Sequence, residues 1–188
     1  DSICGYQNDA TADFTWSRHK GSTSSSTTGA TNDHTYGTNF GYYMYIETSA
    51  PQKTGDKARL ISPEYDVAAG GSCLQFFYHM WGDSTGAFNV YLKVGANLEA
   101  RPLWALSGDQ GDFWRPARAT IQTSGKFQVV FEGVVGPSFT GDISLDDITI
   151  SPGACPASGS CTFEQDLCTW TPSARPDHFD WYRLSSKQ

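Results

Sequence analysis

Two adjacent carboxylates, Asp146 and Asp147, interrupt an alternating apolar stretch and are the strongest chemical signal in the chain. In Gly141-Asp142-Ile143-Ser144-Leu145-Asp146-Asp147-Ile148-Thr149-Ile150, Ile143 and Leu145 share one parity, whereas Ile148 and Ile150 share the other. A strand alternates faces with period two, so it changes face between Leu145 and Ile148. Either a β-bulge sits at Asp146–Asp147, or a carboxylate points inward and needs hydrogen bonds or a cation to offset its burial. The histidines His34 and His79 have the chemistry of a general base, but His34 reads as a loop residue and His79 as mid-strand, with no recognisable nucleophile. HExxH, GxSxG, P-loop and GxGxxG patterns are absent, and Gly136-Pro137-Ser138-Phe139-Thr140 approaches a nucleophile elbow but ends in Thr. Composition leaves a two-carboxylate glycosidase open; solvated surface acids are the commoner origin of such residues. No catalysis is expected.

Cysteine is the other chemistry-bearing residue. The chain has 5, an odd number, with no CxxC pair and no histidine spaced for zinc beside them. They are either buried thiols or a disulfide framework with one partner elsewhere. An internal repeat favours the framework. Cys4-Gly5-Tyr6, followed by Phe14-Thr15-Trp16-Ser17-Arg18, recurs as Cys168-Thr169-Trp170, followed by Phe179-Asp180-Trp181-Tyr182-Arg183. The second copy opens with Cys161-Thr162-Phe163-Glu164, so the first copy is expected to have a matching cysteine upstream of Asp1. The expected pairs are Cys73–Cys155 and Cys161–Cys168, with the partner of Cys4 upstream of this sequence. A Cys73–Cys155 bridge closes a loop of about 80 residues, worth ~4 kcal/mol in the chain-entropy picture.

The elements that hold these residues read as strands. Leu74, Phe76, Tyr78 and Met80 recur with period two, as do Phe88, Val90, Leu92 and Val94. Phe127, Val129 and Phe131 make a third row, and Tyr43, Tyr45 and neighbouring Ile46 a fourth. Turns such as Gly82-Asp83-Ser84-Thr85-Gly86 separate them, and no segment sustains a helical period. The polar, low-complexity run 20–31 reads as an exposed loop. Pro, Gly and Ser dominate 151–160, as a domain boundary requires. The resulting division is a domain at 1–155 lacking its first residues, a short linker at 156–160, and the amino-terminal fragment of a second copy at 161–188.

Composition agrees. Aromatic content of 14%, with 19 Gly and 9 Pro, suits an all-β domain. The net charge is −7 and the basic residues are scattered, which excludes a nucleic-acid stripe. No apolar run of about 18 residues could span a membrane. No Asn-x-Ser/Thr acceptor marks a glycosylated face.

Several stretches together resemble the MAM family, named for meprins, neuropilin and a receptor tyrosine phosphatase. They are Phe14-Thr15-Trp16-Ser17-Arg18, Asp33-His34-Thr35, the Gly41 to Glu47 and Ala58 to Pro63 segments, Cys73 to Met80, Phe127 to Gly133 and Gly141 to Ile148. The family's opening Cys-x-Phe-Glu is missing before Cys4. The resemblance implies an antiparallel two-sheet jelly-roll sandwich stabilised by disulfides, four cysteines per domain, and an extracellular location, secreted or in the ectodomain of a membrane protein. It also implies a non-catalytic module for adhesion, ligand contact or assembly, whose partner is an extracellular protein or a second copy of itself. Related jelly-roll domains bind structural calcium, which takes six to eight oxygens. The candidate ligands are Asp33, Asp146 and Asp147; against this stand an Asx turn at Asp33 and a solvated bulge at the pair. Trp16, Trp81, Trp104 and Trp114 read as packing residues, while Tyr36 and Phe40, in a Gly-rich loop, read as exposed contacts. A lectin-like carbohydrate-binding module and an accessory domain of a secreted protease are the alternative functions.

Overall fold

A computed structural model describes residues 3–157 of the chain. Among them are β1 (Gln7–Asn8), β2 (Ser17–His19), β3 (Tyr43–Ile46), β4 (Lys57–Ile61), β5 (Ser72–Met80) and β6 (Ala87–Val94). They are followed by β7 (Asn97–Leu98), β8 (Trp104–Ser107), β9 (Arg115–Ile121), β10 (Gln128–Val134) and β11 (Ile143–Pro152). No helix occurs among the described residues. The strands form two antiparallel sheets, one ordered β1-β4-β10-β6-β7 with β8 also on β6, the other β2-β3-β11-β5-β9. This is the expected all-β antiparallel sandwich.

The period-two rows explain the core. Leu74, Phe76 and Met80 are fully buried from β5, and Phe88 and Val90 face them from β6. Phe76 meets Phe131 edge-on at 5.4 Å and Trp104 at 5.3 Å, the tilted geometry that aromatic quadrupoles favour. Trp16 is buried between the sheets, and its indole N–H donates to the Ala58 carbonyl at 3.1 Å, so no donor is stranded. The Cys73–Cys155 disulfide forms, with an S–S distance of 2.01 Å, and ties the start of β5 to the segment after β11. Cys4 lies at the surface, and the expected Cys161–Cys168 pair lies outside the described residues.

The face change in β11 is a bulge. Ile143 and Leu145 pack inward, the register against β5 shifts between Asp146 and Thr149, and Ile148 and Ile150 pack against the core again. Asp147 has φ 48, a left-handed value that Asp tolerates better than most residues. The extra residue turns both carboxylates away from the core.

Two expectations need correction. The 20–31 run is not simply exposed: Thr23, Thr28 and Ala30 are buried, because the segment lies across the outer face of the five-stranded sheet. Tyr43 and Tyr45 belong to that outer face rather than to the core row, since β3 sends Ile46 and Met44 inward instead. Ser151 and Pro152 still pair with β5, so β11 runs into the Pro-, Gly- and Ser-rich 151–160 stretch.

Candidate functional site

The outer face of the five-stranded sheet is lined with rings and polar groups that the inward alternation leaves behind: Tyr43, Tyr45, Phe77, His79, Ser144 and Asp146. Exposed to water, such a face would waste several aromatic side chains. The segment between β2 and β3 covers it. The Tyr43 hydroxyl is within bonding distance of the carbonyls of Gly21 (2.5 Å) and Ala30 (3.0 Å), and burial pushes its pKa up. The Thr28 hydroxyl donates to the Trp81 carbonyl at 2.8 Å and accepts from the Asp142 N–H at 2.9 Å. The Trp114 indole N–H donates to the Asn32 carbonyl at 2.9 Å.

The bulge carboxylates hold the next stretch. Asp146 Oδ2 accepts the His34 N–H at 2.9 Å, and its Oδ1 accepts the Asp147 N–H at 2.9 Å. Asp147 Oδ2 accepts from His34 Nδ1 at 2.6 Å, and its Oδ1 accepts the Thr35 hydroxyl at 2.6 Å. The His34 ring then stacks on Phe77 with centroids 3.5 Å apart. Burial pushes the Asp146 carboxyl up, and the two N–H bonds partly oppose that shift. Asp33 completes the loop from inside: 1% exposed, it accepts the N–H groups of Tyr36 and Thr38, each at 2.9 Å. Gly41 has no Cβ because the Asp33 carboxylate occupies that space.

Asp33, Asp146 and Asp147 are thus brought to one loop, but as hydrogen-bond acceptors. Each carboxylate has both oxygens directed at N–H or O–H donors, the environment of a capped loop rather than an open oxygen cage. Among the described residues, no group of three or more His, Cys, Asp or Glu is placed to hold a metal ion. The arrangement therefore does not fit the calcium expectation, and no role is assigned to an ion here.

What this bracing presents is aromatic. Tyr36 is 77% exposed and Phe40 78%, and Tyr42 beside them is 44% exposed. The Arg18 guanidinium lies 3.3 Å from the Tyr42 ring centroid, and Lys20 Nζ lies 5.7 Å from it. An adjoining pocket of about 300 Å3 is lined in part by Arg18, Tyr42, Met44, Leu60, Leu145 and Asp146.

Residues 1–156 match the model of the MAM domain, meprin/A5/mu. The chain belongs to the MAM family. It is 45% identical over 163 residues to human MAM domain-containing glycosylphosphatidylinositol anchor protein 1, covering 83% of this chain and 17% of that protein. It therefore spans less than a fifth of that relative's length. Among solved structures, the K1 cleaved adhesin domain of Lys-gingipain from Porphyromonas gingivalis W83 superimposes with a TM-score of 0.56 at 16% identity, covering 81% of this chain and 94% of that one. A structure of carbohydrate-binding modules from the β-sandwich superfamily does so with a TM-score of 0.50 at 13% identity, covering 79% and 58%. Both share the fold alone. The MAM domain described here is an extracellular module, consistent with its oxidised Cys73–Cys155 pair.

The sequence marks His79 only as a mid-strand histidine and Trp114 only as a packing residue, and does not single out Phe77, Asp142 or Ser144. Phe77, His79, Trp114, Asp142 and Ser144 belong to this site because the 20–42 segment covers them. The signal that could have found two of them is the strict alternation of Asp142 and Ser144 with Ile143 and Leu145, which puts them on the opposite face.

Proposed function

We propose that this MAM domain is a non-catalytic interaction module whose contact surface is the braced 33–42 loop, engaging an extracellular protein or a second copy of the domain. The observation that carries the reading is the exposure of Tyr36 and Phe40 at 77% and 78% on a loop fixed from below by Asp33, Asp146 and Asp147. Burying one large apolar side chain is worth about 1.5–3 kcal/mol, so leaving two in water is costly unless a partner covers them. Aromatic anchors on a rigid support lose little entropy on binding and dominate interface energetics. Arg18 and Lys20 lie beside the Tyr42 ring at the edge of this patch. Beads coated with the chain are expected to adhere to one another or to cultured cells. The double substitution Tyr36→Ser and Phe40→Ser should reduce that adhesion at least about tenfold, the equivalent of 1.4 kcal/mol, with the unfolding midpoint unchanged. Undiminished adhesion would reject this surface.

A second reading, a lectin-like contact, draws on the other sheet. On its outer face Glu132, 1% exposed, binds the Arg59 Nε–H at 2.7 Å and the Asn89 amide at 3.1 Å, with the Tyr91 hydroxyl at 3.5 Å. A glycan array separates the two readings: saccharide binding abolished by Tyr91→Ala but not by the Tyr36/Phe40 pair would favour the lectin.

A further inference from the structure

The pocket beside the 33–42 loop is lined from both sheets. Leu60 of β4 and Leu145 of β11, 0% and 1% exposed, form its base, with Tyr6, Met44 and Ile148 around them. Its volume is about 300 Å3. An apolar cavity of about 150 Å3 takes up benzene, so this space accommodates one aromatic ring together with its stem. Most of its lining is apolar, which suits a ring without a polar atom to strand.

The pocket and the exposed loop are built from the same parts. Tyr42 lines the pocket and stands two residues after Phe40 on the loop. Asp146 and Asp147 also line the pocket, and they hold His34 and Thr35 at the base of the loop. Neither Tyr36 nor Phe40 lines the pocket of its own molecule; their rings stand in water at 77% and 78% exposure. A ring to be covered and a hole for a ring therefore lie side by side on one face. Two such faces related by a twofold axis satisfy each other twice, as in a closed, self-complementary dimer contact.

We propose that the loop and the pocket form one self-complementary surface for a second molecule of this chain, with the Phe40 ring of each entering the pocket of the other. This rests on the contact surface proposed above and names its partner. Phe40 is the ring that enters because it has no hydroxyl to desolvate, and Tyr36 packs beside it. Burying an aromatic side chain takes about 150–250 Å2 out of water, so Tyr36, Phe40 and Tyr42, at 77%, 78% and 44% exposure, supply roughly 300–500 Å2 per molecule. A reciprocal pair buries roughly 600–1,000 Å2 from these rings alone, against about 1,200–2,000 Å2 for a stable interface. The pairing is thus weak between two molecules in solution and becomes strong where many are displayed together. Both molecules carry a charge of −7, so apolar contact has to overcome repulsion, and added salt strengthens the pairing.

Methyl-13C NMR of methionine reads the pocket directly. The chain has 2 methionines: Met44 lines the pocket, and Met80, 0% exposed, lies in the core. Raising the full chain from about 10 μM to about 1 mM should move the Met44 signal, through the ring current of the incoming Phe40, and leave Met80 in place. Phe40→Ser, at a position exposed enough to leave the fold intact, should abolish the movement, and added salt should enhance it. A Met44 signal independent of concentration overturns the pairing, as does one that moves equally in Phe40→Ser or fades with salt. The bead assay keeps the two readings apart. Cell adhesion lost in the Tyr36/Phe40 double variant, beside an unmoving Met44 signal, retains the contact surface and rejects a second molecule as its partner. Adhesion undiminished in that variant rejects the surface itself.

Discussion

Asp142 is a buried carboxyl with no ion pair among the described residues, and pH isolates its electrostatic cost. Its carboxyl is 0% exposed and pushed up to about 6 from an ordinary 3.8, first by burial and then by the charge of Glu47. The Thr48 N–H at 3.0 Å and hydroxyl at 3.2 Å oppose the shift, as does the Thr23 hydroxyl. Above it the covering segment contributes Thr28, and no ion pair to Asp142 exists among the described residues. A folded-state pKa above the unfolded one means that the fold binds the proton more tightly. The domain is then favoured below about pH 4, loses stability as pH rises towards 6, and bears the full cost above it. That rise corresponds to ~3 kcal/mol. Asp142→Asn removes the charge while keeping an oxygen for Thr48. Any cost of placing the new amide is independent of pH, so the difference in unfolding free energy between the two proteins reports the charge alone. Urea unfolding of both from about pH 4 to pH 7 should show that difference moving by ~3 kcal/mol in favour of the variant as pH rises. A difference that stays flat within about 0.5 kcal/mol across this range would refute the reasoning, because a carboxyl that ionises equally well in both states has no buried cost.

Replacing both Cys73 and Cys155 by Ala opens a covalent loop of 82 residues and should lower the unfolding free energy by about 4.5 kcal/mol, read as a fall in the urea midpoint. Asp147→Ala removes the acceptors of His34 and Thr35 from a half-exposed latch, a loss of about 1–2 kcal/mol. Hydrogen exchange should consequently quicken at the Tyr36 and Thr38 amides while the β5 and β10 amides keep their rates; equal protection in both proteins would disprove the latch. Calcium added to the unsubstituted domain should leave its thermal midpoint in place, since the three candidate carboxylates are already bonded; a rise in the midpoint would restore the cation.

Strand content, sandwich class and the Cys73–Cys155 bridge were legible because each rests on a local regularity: period-two rows, Gly-rich turns and cysteine arithmetic. The bulge was legible for the same reason, since Leu145 and Ile148 cannot share a face without an extra residue. What was illegible depends on contacts distant in sequence. A run such as Ser22-Thr23-Ser24-Ser25-Ser26-Thr27-Thr28 has the composition of an exposed loop, and nothing local shows that Thr28 bonds to Trp81 and Asp142. Tyr43 and Tyr45 look like core residues by hydropathy. Their place on the outer face is fixed by pairing with β11, where Ser144 stands opposite Tyr45. For the carboxylates, chemistry alone allowed a cation or a cap. The difference lies in the His34, Tyr36 and Thr38 amides that point at them, and backbone direction is not encoded in residue type.

The bulge links these observations into one mechanism of presentation. A regular strand through Asp146 and Asp147 would turn one carboxylate into the sandwich, at the expense of burying a charge beside Leu145. One extra residue avoids that and places both carboxylates on the outer face, and the left-handed Asp147 costs about 1–3 kcal/mol as a strained backbone position. The bonds to His34 and Thr35 offset a comparable amount, so the strain and the latch stand or fall together. Because β11 lies at the centre of its sheet, between β3 and β5, the latch is anchored to the least mobile part of the domain. Tyr36 and Phe40 therefore project from a loop whose base cannot relax without disturbing the sheet. That stiffness lets two exposed rings act as binding anchors instead of collapsing onto their own surface.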